Sequence, residues 1–229
     1  HTLAARFFNS KLNAQYDNSA NYDDRDHQKL QASAIGSNDK INAMWTSRLH
    51  LGQTVDDSSA DSLYPGQFRT RQVQMGWQND LAVAPNQLLT LGVERLDEKV
   101  KASSYAADAP GSRSTNSLLA GYQVRVAPHS VQANLRYDDN SQYGGKTTGM
   151  LLYGLQLASD WKATTSFGTA FRAPSFNELY FPNYGQTTIE PETARNGEVG
   201  LQYRVKHTDA GLVAYRNRVK NLIDYQSPC

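Results

Sequence analysis

Four aspartates, Asp17, Asp23, Asp24 and Asp26, crowd one polar stretch that reads YDNSANYDDRD from Tyr16 to Asp26. Carboxylates this close repel one another unless water or a cation separates them. Hard oxygen ligands suit calcium, which takes roughly six to eight of them. The plain alternative is a solvated acidic loop. Four tyrosines, Tyr64, Tyr105, Tyr143 and Tyr184, lie in other polar stretches. Each offers an apolar ring with a hydroxyl, which suits contact with a ligand. Arg172 stands in FRAPSFNELY. Either it lines a binding vestibule, or the motif is architectural. In the second case Pro174, with no N–H, ends strand pairing, and the Leu179-Tyr180 pair anchors the loop to the rim.

Catalytic chemistry finds no support. The five histidines, His1, His27, His50, His129 and His207, have no metal-ligand spacing. No nucleophile elbow, P-loop or GxGxxG occurs, and the Asp56-Asp57 pair reads as solvated carboxylates in a loop. The chain is not expected to be an enzyme, and no redox or nucleotide cofactor is implied. The single cysteine, Cys229, makes neither an internal disulfide nor a thiolate metal cluster.

The elements that must position these residues are strands. Of 229 residues, 39% are hydrophobic and 13 are tyrosine, and mean hydropathy is −0.63. That balance suits strands with one apolar and one polar face. The net charge of +1, with Lys and Arg scattered, points to no nucleic-acid partner and no acidic membrane. No apolar run is long enough for a transmembrane helix, but a spanning barrel needs only alternation. The chain begins at His1, without initiator Met or signal peptide, and reads as a piece of a longer protein.

Period two dominates. In SLLAGYQVRVAPHSVQANLRYDDN, Leu118, Ala120, Tyr122, Val124 and Val126 share a face, as do Val131, Ala133, Leu135 and Tyr137 after the turn. Gln123, Arg125, Gln132, Asn134 and Arg136 oppose them. Ile41, Ala43, Trp45, Leu49 and Leu51 alternate with Asn42, Thr46, Arg48 and His50. Faces are not assignable over 2–16 and 210–220. Eleven strands are expected near 2–16, 27–36, 41–53, 69–83, 88–99, 116–126, 130–138, 147–158, 161–172, 195–205 and 210–222. Five short connections (37–40, 84–87, 127–129, 159–160, 206–209) alternate with five long ones (17–26, 54–68, 100–115, 139–146, 173–194). In an antiparallel up-and-down meander, every second connection lies at the same end. All long loops then crowd one rim, which is the signature of an outer-membrane barrel. Backbone groups cannot stay unpaired in hydrocarbon, so the sheet must close. A soluble β-sandwich usually mixes its connection lengths, and no fixed repeat supports a solenoid. An odd count leaves two edges, so the eleven strands read as part of a larger barrel. Trp45, Trp77 and Trp161 suit a lipid-facing belt, with Trp161 at the periplasmic interface.

From Phe171 to Arg204 the chain resembles the TonB-dependent outer-membrane receptors. The residues are Phe171, Arg172, Ala173 and Pro174, then Leu179 and Tyr180, then Pro191, Glu192, Glu198 and Gly200. YRNRVKNLIDY, Tyr215 to Tyr225, is similar to the family too. The resemblance implies a 22-stranded barrel with an N-terminal plug. Residues 1–229 would then supply about half of the strands as one partial-barrel domain, without the plug or the remaining strands. It also implies the bacterial outer membrane and its lipid bilayer, uptake of a large metal-chelate substrate, and TonB as a partner through an N-terminal region. Within the family, DDNSQYG (Asp138 to Gly144) and YDNSANYDDRD resemble receptors for cobalamin, vitamin B12, which implies calcium near the acidic stretch. Tyr64, Tyr105, Tyr143 and Tyr184 would then meet a large, flat, partly apolar substrate. A motif shared by receptors for different substrates favours the architectural reading of FRAPSFNELY. The alternatives are a siderophore or haem receptor, a passive porin-like channel, and a soluble β-rich binding module.

Overall fold

A computed structural model describes residues 1–17, 23–62 and 65–224. It is an eleven-stranded antiparallel meander in which each strand pairs with its neighbours in the sequence. The strands are β1 (Thr2–Asp17), β2 (Asp24–Lys40), β3 (Trp45–Asp61), β4 (Gly66–Ala84), β5 (Gln87–Ala102) and β6 (Ser112–Val126). They continue with β7 (His129–Asn140), β8 (Gly144–Ala158), β9 (Trp161–Arg172), β10 (Glu192–Val205) and β11 (Thr208–Lys220). The one helix among the described residues, α1 (Phe176–Tyr180), interrupts the connection from β9 to β10. β1 and β11 are the end members of the order.

The register sorts the two faces. Leu49 pairs with Trp77, Trp77 with Val93, Val93 with Leu118, and Leu118 with Tyr137. This row is apolar and exposed, as the outer wall of a membrane barrel must be. One residue along, Arg48, Gln78, Gly92, Leu119 and Arg136 form a row on the other face. Gln123 and Gln132 are partners on that inner face, as are Gly121 and Asn134. The faces of β1 and β11, unreadable in sequence, follow from pairing: Leu3, Ala5 and Phe7 point outward, and so do Leu212 and Ala214.

Several expected boundaries are corrected. Residues 54–61 are not loop but the upper part of β3, so Asp56 and Asp57 lie in a strand. Asp24 and Asp26 likewise belong to β2. The rim connections shrink to 18–23, 62–65, 103–111, 141–143 and 173–191. Two of them are as short as the turns opposite, at 41–44, 85–86, 127–128, 159–160 and 206–207. Ile41 and Ala43 sit in the first of those turns rather than in β3. The cause is physical. The outward apolar positions of β4, Leu81, Trp77, Met75 and Val73, broken only by Asn79, span a segment that matches the roughly 9–11 residues a tilted strand needs to cross a bilayer. Beyond Val73 the outward positions are the cations Arg71 and Arg69 and the inward ones are polar apart from Phe68, so the period-two signal disappears while backbone pairing continues to Gly66. Trp161, half-exposed, packs on Tyr203 at 4.8 Å beside the turn at 159–160. Trp45 and Trp77 donate through Nε1 to Asn79 and Ser47 on the same outer face.

Candidate substrate-facing rim

Arg172 ends β9, and the chain there turns over the rim. Ser175 caps α1: its Oγ accepts from the Glu178 N–H at 3.2 Å, while the Glu178 carboxylate accepts from the Ser175 N–H at 2.6 Å. This reciprocal pair is a capping box. Arg172 donates to Glu178 through Nη1 and Nη2 at 3.2 and 3.0 Å. It donates to Glu192, at the start of β10, through Nε and Nη2 at 2.7 and 3.1 Å. Glu192 also accepts from the Ile223 N–H at 2.7 Å, beyond β11. One guanidinium therefore ties the helix to both ends of the 173–191 connection. These bonds hold the Glu192 carboxyl down at about 2, the Arg172 contact first. Glu178 lies below its ordinary range: partial burial, the largest single influence, raises it, and the bonds from Arg172 and Ser175 together outweigh that. Gly185 permits the return: its N–H donates to the Phe181 carbonyl at 2.7 Å, and a Cβ there would stand 2.6 Å from the Phe181 nitrogen.

The connection docks on the inner face of β5 and β6. Pro174, Phe176 and Leu179 are buried. Arg113 of β6, itself buried, donates through Nη1 to the Pro174 carbonyl at 2.8 Å. Its Nε donates to Glu98 at 2.9 Å, and the guanidinium lies 4.9 Å over the Phe176 ring. Tyr105 donates to Asn177 Oδ1 and meets Phe68 and Tyr180 edge-on, each at 6.1 Å. Gln142 donates to the Tyr180 hydroxyl at 3.1 Å. Burial pushes the Tyr105 hydroxyl up to about 12. Burial also raises Tyr143, against the opposing influence of Arg113. Both phenols thus stay protonated at neutral pH. Lower on the same face, Arg136 bridges Glu94 at 3.0 Å and Asp138 at 2.7 Å, with Ser117 between them.

Of the expected ligand contacts, Tyr105, Tyr143, Arg172 and Tyr184 all lie on this rim. Tyr105 is within the docked aromatic group, and Arg172 is the clamp. Tyr184 is exposed, with its ring 6.0 Å from Phe181. Tyr64 lies outside the described residues, as does the side chain of Asp17. Asp23 is already paired: it accepts from Gln15 and, at 2.5 Å, from Arg25. By register, Asp26 belongs to the inner face with Ala14 and Ala60, whereas Gln15 and Arg25 share the outer one. Among the described residues no three acidic, histidine or cysteine side chains converge on a metal position. Arg113, Glu98, Phe176 and Asn177 were not singled out in the sequence. Ser175 followed by Glu178 was the legible signal for α1. Nothing local marks Arg113. Among the described residues the rim presents aromatic faces, phenols and paired charges.

Residues 2–229 match the family described as TonB dependent receptor-like, beta-barrel. A vitamin B12 transporter of Vibrio cholerae serotype O1 is 28% identical over 222 residues, 93% of this chain and 36% of the relative. One of Photobacterium profundum is 27% identical over 198 residues, 85% of this chain and 32% of the relative. The chain thus spans about a third of the length of these curated relatives. The fold matches the siderophore receptor PirA of Pseudomonas aeruginosa with a TM-score of 0.71 at 20% identity, covering 95% of this chain and 46% of that one. It matches the ferric enterobactin receptor PfeA of the same organism with a TM-score of 0.68 at 18% identity, over 86% and 35%. Such identities speak for the fold alone. The family is one of receptors rather than enzymes, in keeping with a sequence that carries no catalytic motif. This chain belongs to the TonB-dependent receptor-like β-barrel family and forms part of the wall of an outer-membrane barrel.

Proposed function

We propose that the protein containing this wall takes up cobalamin, bound first at the 173–191 rim and then passed along the polar inner face. The observation that carries the substrate is the likeness of 93% of the chain to a vitamin B12 transporter. The rim suits the chemistry: Tyr105, Tyr143 and Tyr184 offer rings and hydroxyls to a large, flat, partly apolar ligand. TonB, engaged through a region outside this chain, would supply the energy. Equilibrium binding of cobalamin to the whole receptor tests the reading. A receptor that ignores cobalamin and binds a ferric siderophore would replace it with the second reading, which the likeness to PirA and PfeA favours. Ungated conductance of the whole protein in a planar bilayer would instead favour a porin-like channel.

Calcium is a subsidiary proposal for the β1–β2 rim. Its support is the carboxylate content of residues 17–26. With Asp23 engaged by Arg25, the oxygens would come from Asp17, Asp24 and Asp26. Cobalamin titrations with calcium and with chelator test it, and equal affinities remove calcium from the account.

A further inference from the structure

The inner face carries a recess far from the rim. Its floor is one rung of the register. Ser130 lies opposite Arg125, Gly154 opposite Ser130, Thr164 opposite Gly154, and Gly200 opposite Thr164. The rung crosses β6 to β10 near the turns at 127–128 and 159–160, at the other end of the wall from the 173–191 connection. Two glycines keep the floor low. Both are buried, and neighbouring hydroxyls lie over them. A Cβ at Gly154 would stand 2.5 Å from Ser130 Oγ, and one at Gly200 2.8 Å from Thr164 Oγ1. Above the floor is a hollow of about 830 Å³, within the roughly 300–1,000 Å³ of small-molecule sites.

Two cations flank the hollow, and both are exposed to it. Arg125 opens the rung. Lys162, the inward residue before Thr164 on β9, reaches over the floor: its Cε lies 3.4 Å from where a Gly154 Cβ would stand. The ion pair beside them joins Arg204 to Asp209; among the described residues none includes Arg125 or Lys162. Arg125 donates through Nη2 and Nε to the Gln123 amide oxygen at 2.6 and 3.1 Å, in the orientation of that amide that its neighbours require. A neutral group therefore fixes the guanidinium and leaves its charge uncancelled. Glu198 is the one acid among the lining residues. It stands four strands from Arg125 and, along β10, four residues from Gln202, the partner of Lys162. On the next rung toward the rim, Gln132 and Ser166 lie on either side of Leu152.

We propose that this hollow is an exit subsite for the cargo, holding a phosphodiester between Arg125 and Lys162 and carboxamides against Gln132, Thr164 and Ser166. A guanidinium fork and an ammonium point charge both suit phosphate oxygens. A glutamine amide donates and accepts at once, as a carboxamide partner requires. Cobalamin carries both groups, a phosphodiester in its nucleotide arm and carboxamides around its ring. The hollow faces the lumen at the periplasmic end, so a ligand arriving from the rim has already travelled the length of the wall. The inference rests on the cobalamin reading and extends it from entry to release.

Cobinamide, the corrinoid that lacks the phosphodiester and nucleotide, separates this subsite from the rim. In cells producing the whole receptor, the test measures rim binding of cobalamin and of cobinamide without TonB, and TonB-dependent uptake of each. R125Q/K162Q should bind both corrinoids at the rim as the native receptor does. Its uptake of cobalamin should fall about tenfold, on the order of one hydrogen bond to a charged group, while its uptake of cobinamide stays unchanged. R125K/K162R, which keeps both charges, should retain cobalamin uptake. A double variant that loses rim binding altogether transfers the test to K162Q alone, with a smaller fall expected for cobalamin only. Equal falls for the two corrinoids would assign the cations to the wall itself and overturn the proposal, as would unchanged uptake of cobalamin. A native receptor that binds neither corrinoid at the rim removes the cobalamin reading and this subsite with it, whereas rim binding without the selective fall removes the subsite alone.

Discussion

The guanidinium of Arg113, halfway across the sheet on β6, donates at 2.8 Å to the carbonyl of Pro174, the residue that ends the FRAP segment after β9. This bond spans the tops of β7 and β8 and joins the longest described connection to the inner wall. Arg113 is held for it by Glu98 at 2.9 Å. The rim is therefore a docked structure rather than a free loop.

Arg113→Ala should release that dock. Its side chain is 7% exposed and that of Glu98 14%, so removal leaves a largely buried carboxylate without its cation. Breaking a buried pair typically costs about 3–5 kcal/mol. Hydrogen exchange across 173–191 should rise by the corresponding factor, while β7 to β9 stay protected. Unchanged protection of 173–191 would mean that the dock does not depend on Arg113.

The Arg172 clamp predicts an acid response. The Glu192 carboxyl is lowered from its ordinary 4.5 to about 2 by Arg172 first and the Ile223 N–H second. A depressed folded-state value stabilises above the unfolded one. The contribution is thus complete above about pH 4.5 and fades as pH falls toward 2. Loop protection in the native receptor should hold from neutrality to about that point and then decline. In Arg172→Gln it should be low at neutrality and nearly flat. Parallel profiles for the two would refute the clamp.

Leu135 and Leu201 point outward, and both are exposed. Replacing either by Arg should cost roughly 2–4 kcal/mol at mid-depth. Asn134→Arg, on the inner face, should cost far less. Urea unfolding of the whole receptor in lipid vesicles measures all three. Equal costs would mean that the faces are reversed.

Ser175→Ala removes the hydroxyl that accepts from the Glu178 N–H. Loss of an N-cap typically costs about 1 kcal/mol. Local exchange at Glu178 should quicken modestly, with Leu179 still buried. No change there would show that α1 is held by its docking alone.

The alternation of Leu118, Ala120 and Tyr122 with Leu119, Gly121 and Gln123 was enough to place a strand and divide its faces, because outward residues meet lipid and must be apolar. The same argument fails above Val73 and Leu51. There the outward positions, Arg71 and Arg69 among them, are polar like most inward ones, alternation ends, and the paired segments 54–61 and 66–68 read as loop. β1 resisted reading because Leu12 and Phe8 are inward-facing by register while Lys11 and Asn9 face out, the reverse of the pattern at mid-membrane.

The sequence by itself determined the meander, the membrane band and, through Phe171 to Pro174 and Pro191 to Gly200, the family. Local alternation and short motifs carry such information, since each depends only on neighbours along the chain. Tertiary structure alone decided which distant charges meet. Arg113 and Pro174 are sixty-one residues apart. Arg125, Ser130, Gly154 and Thr164 lie on four different strands, and only the register of hydrogen-bonded pairs sets them on one rung or, after a slip of one residue, would turn them to opposite faces.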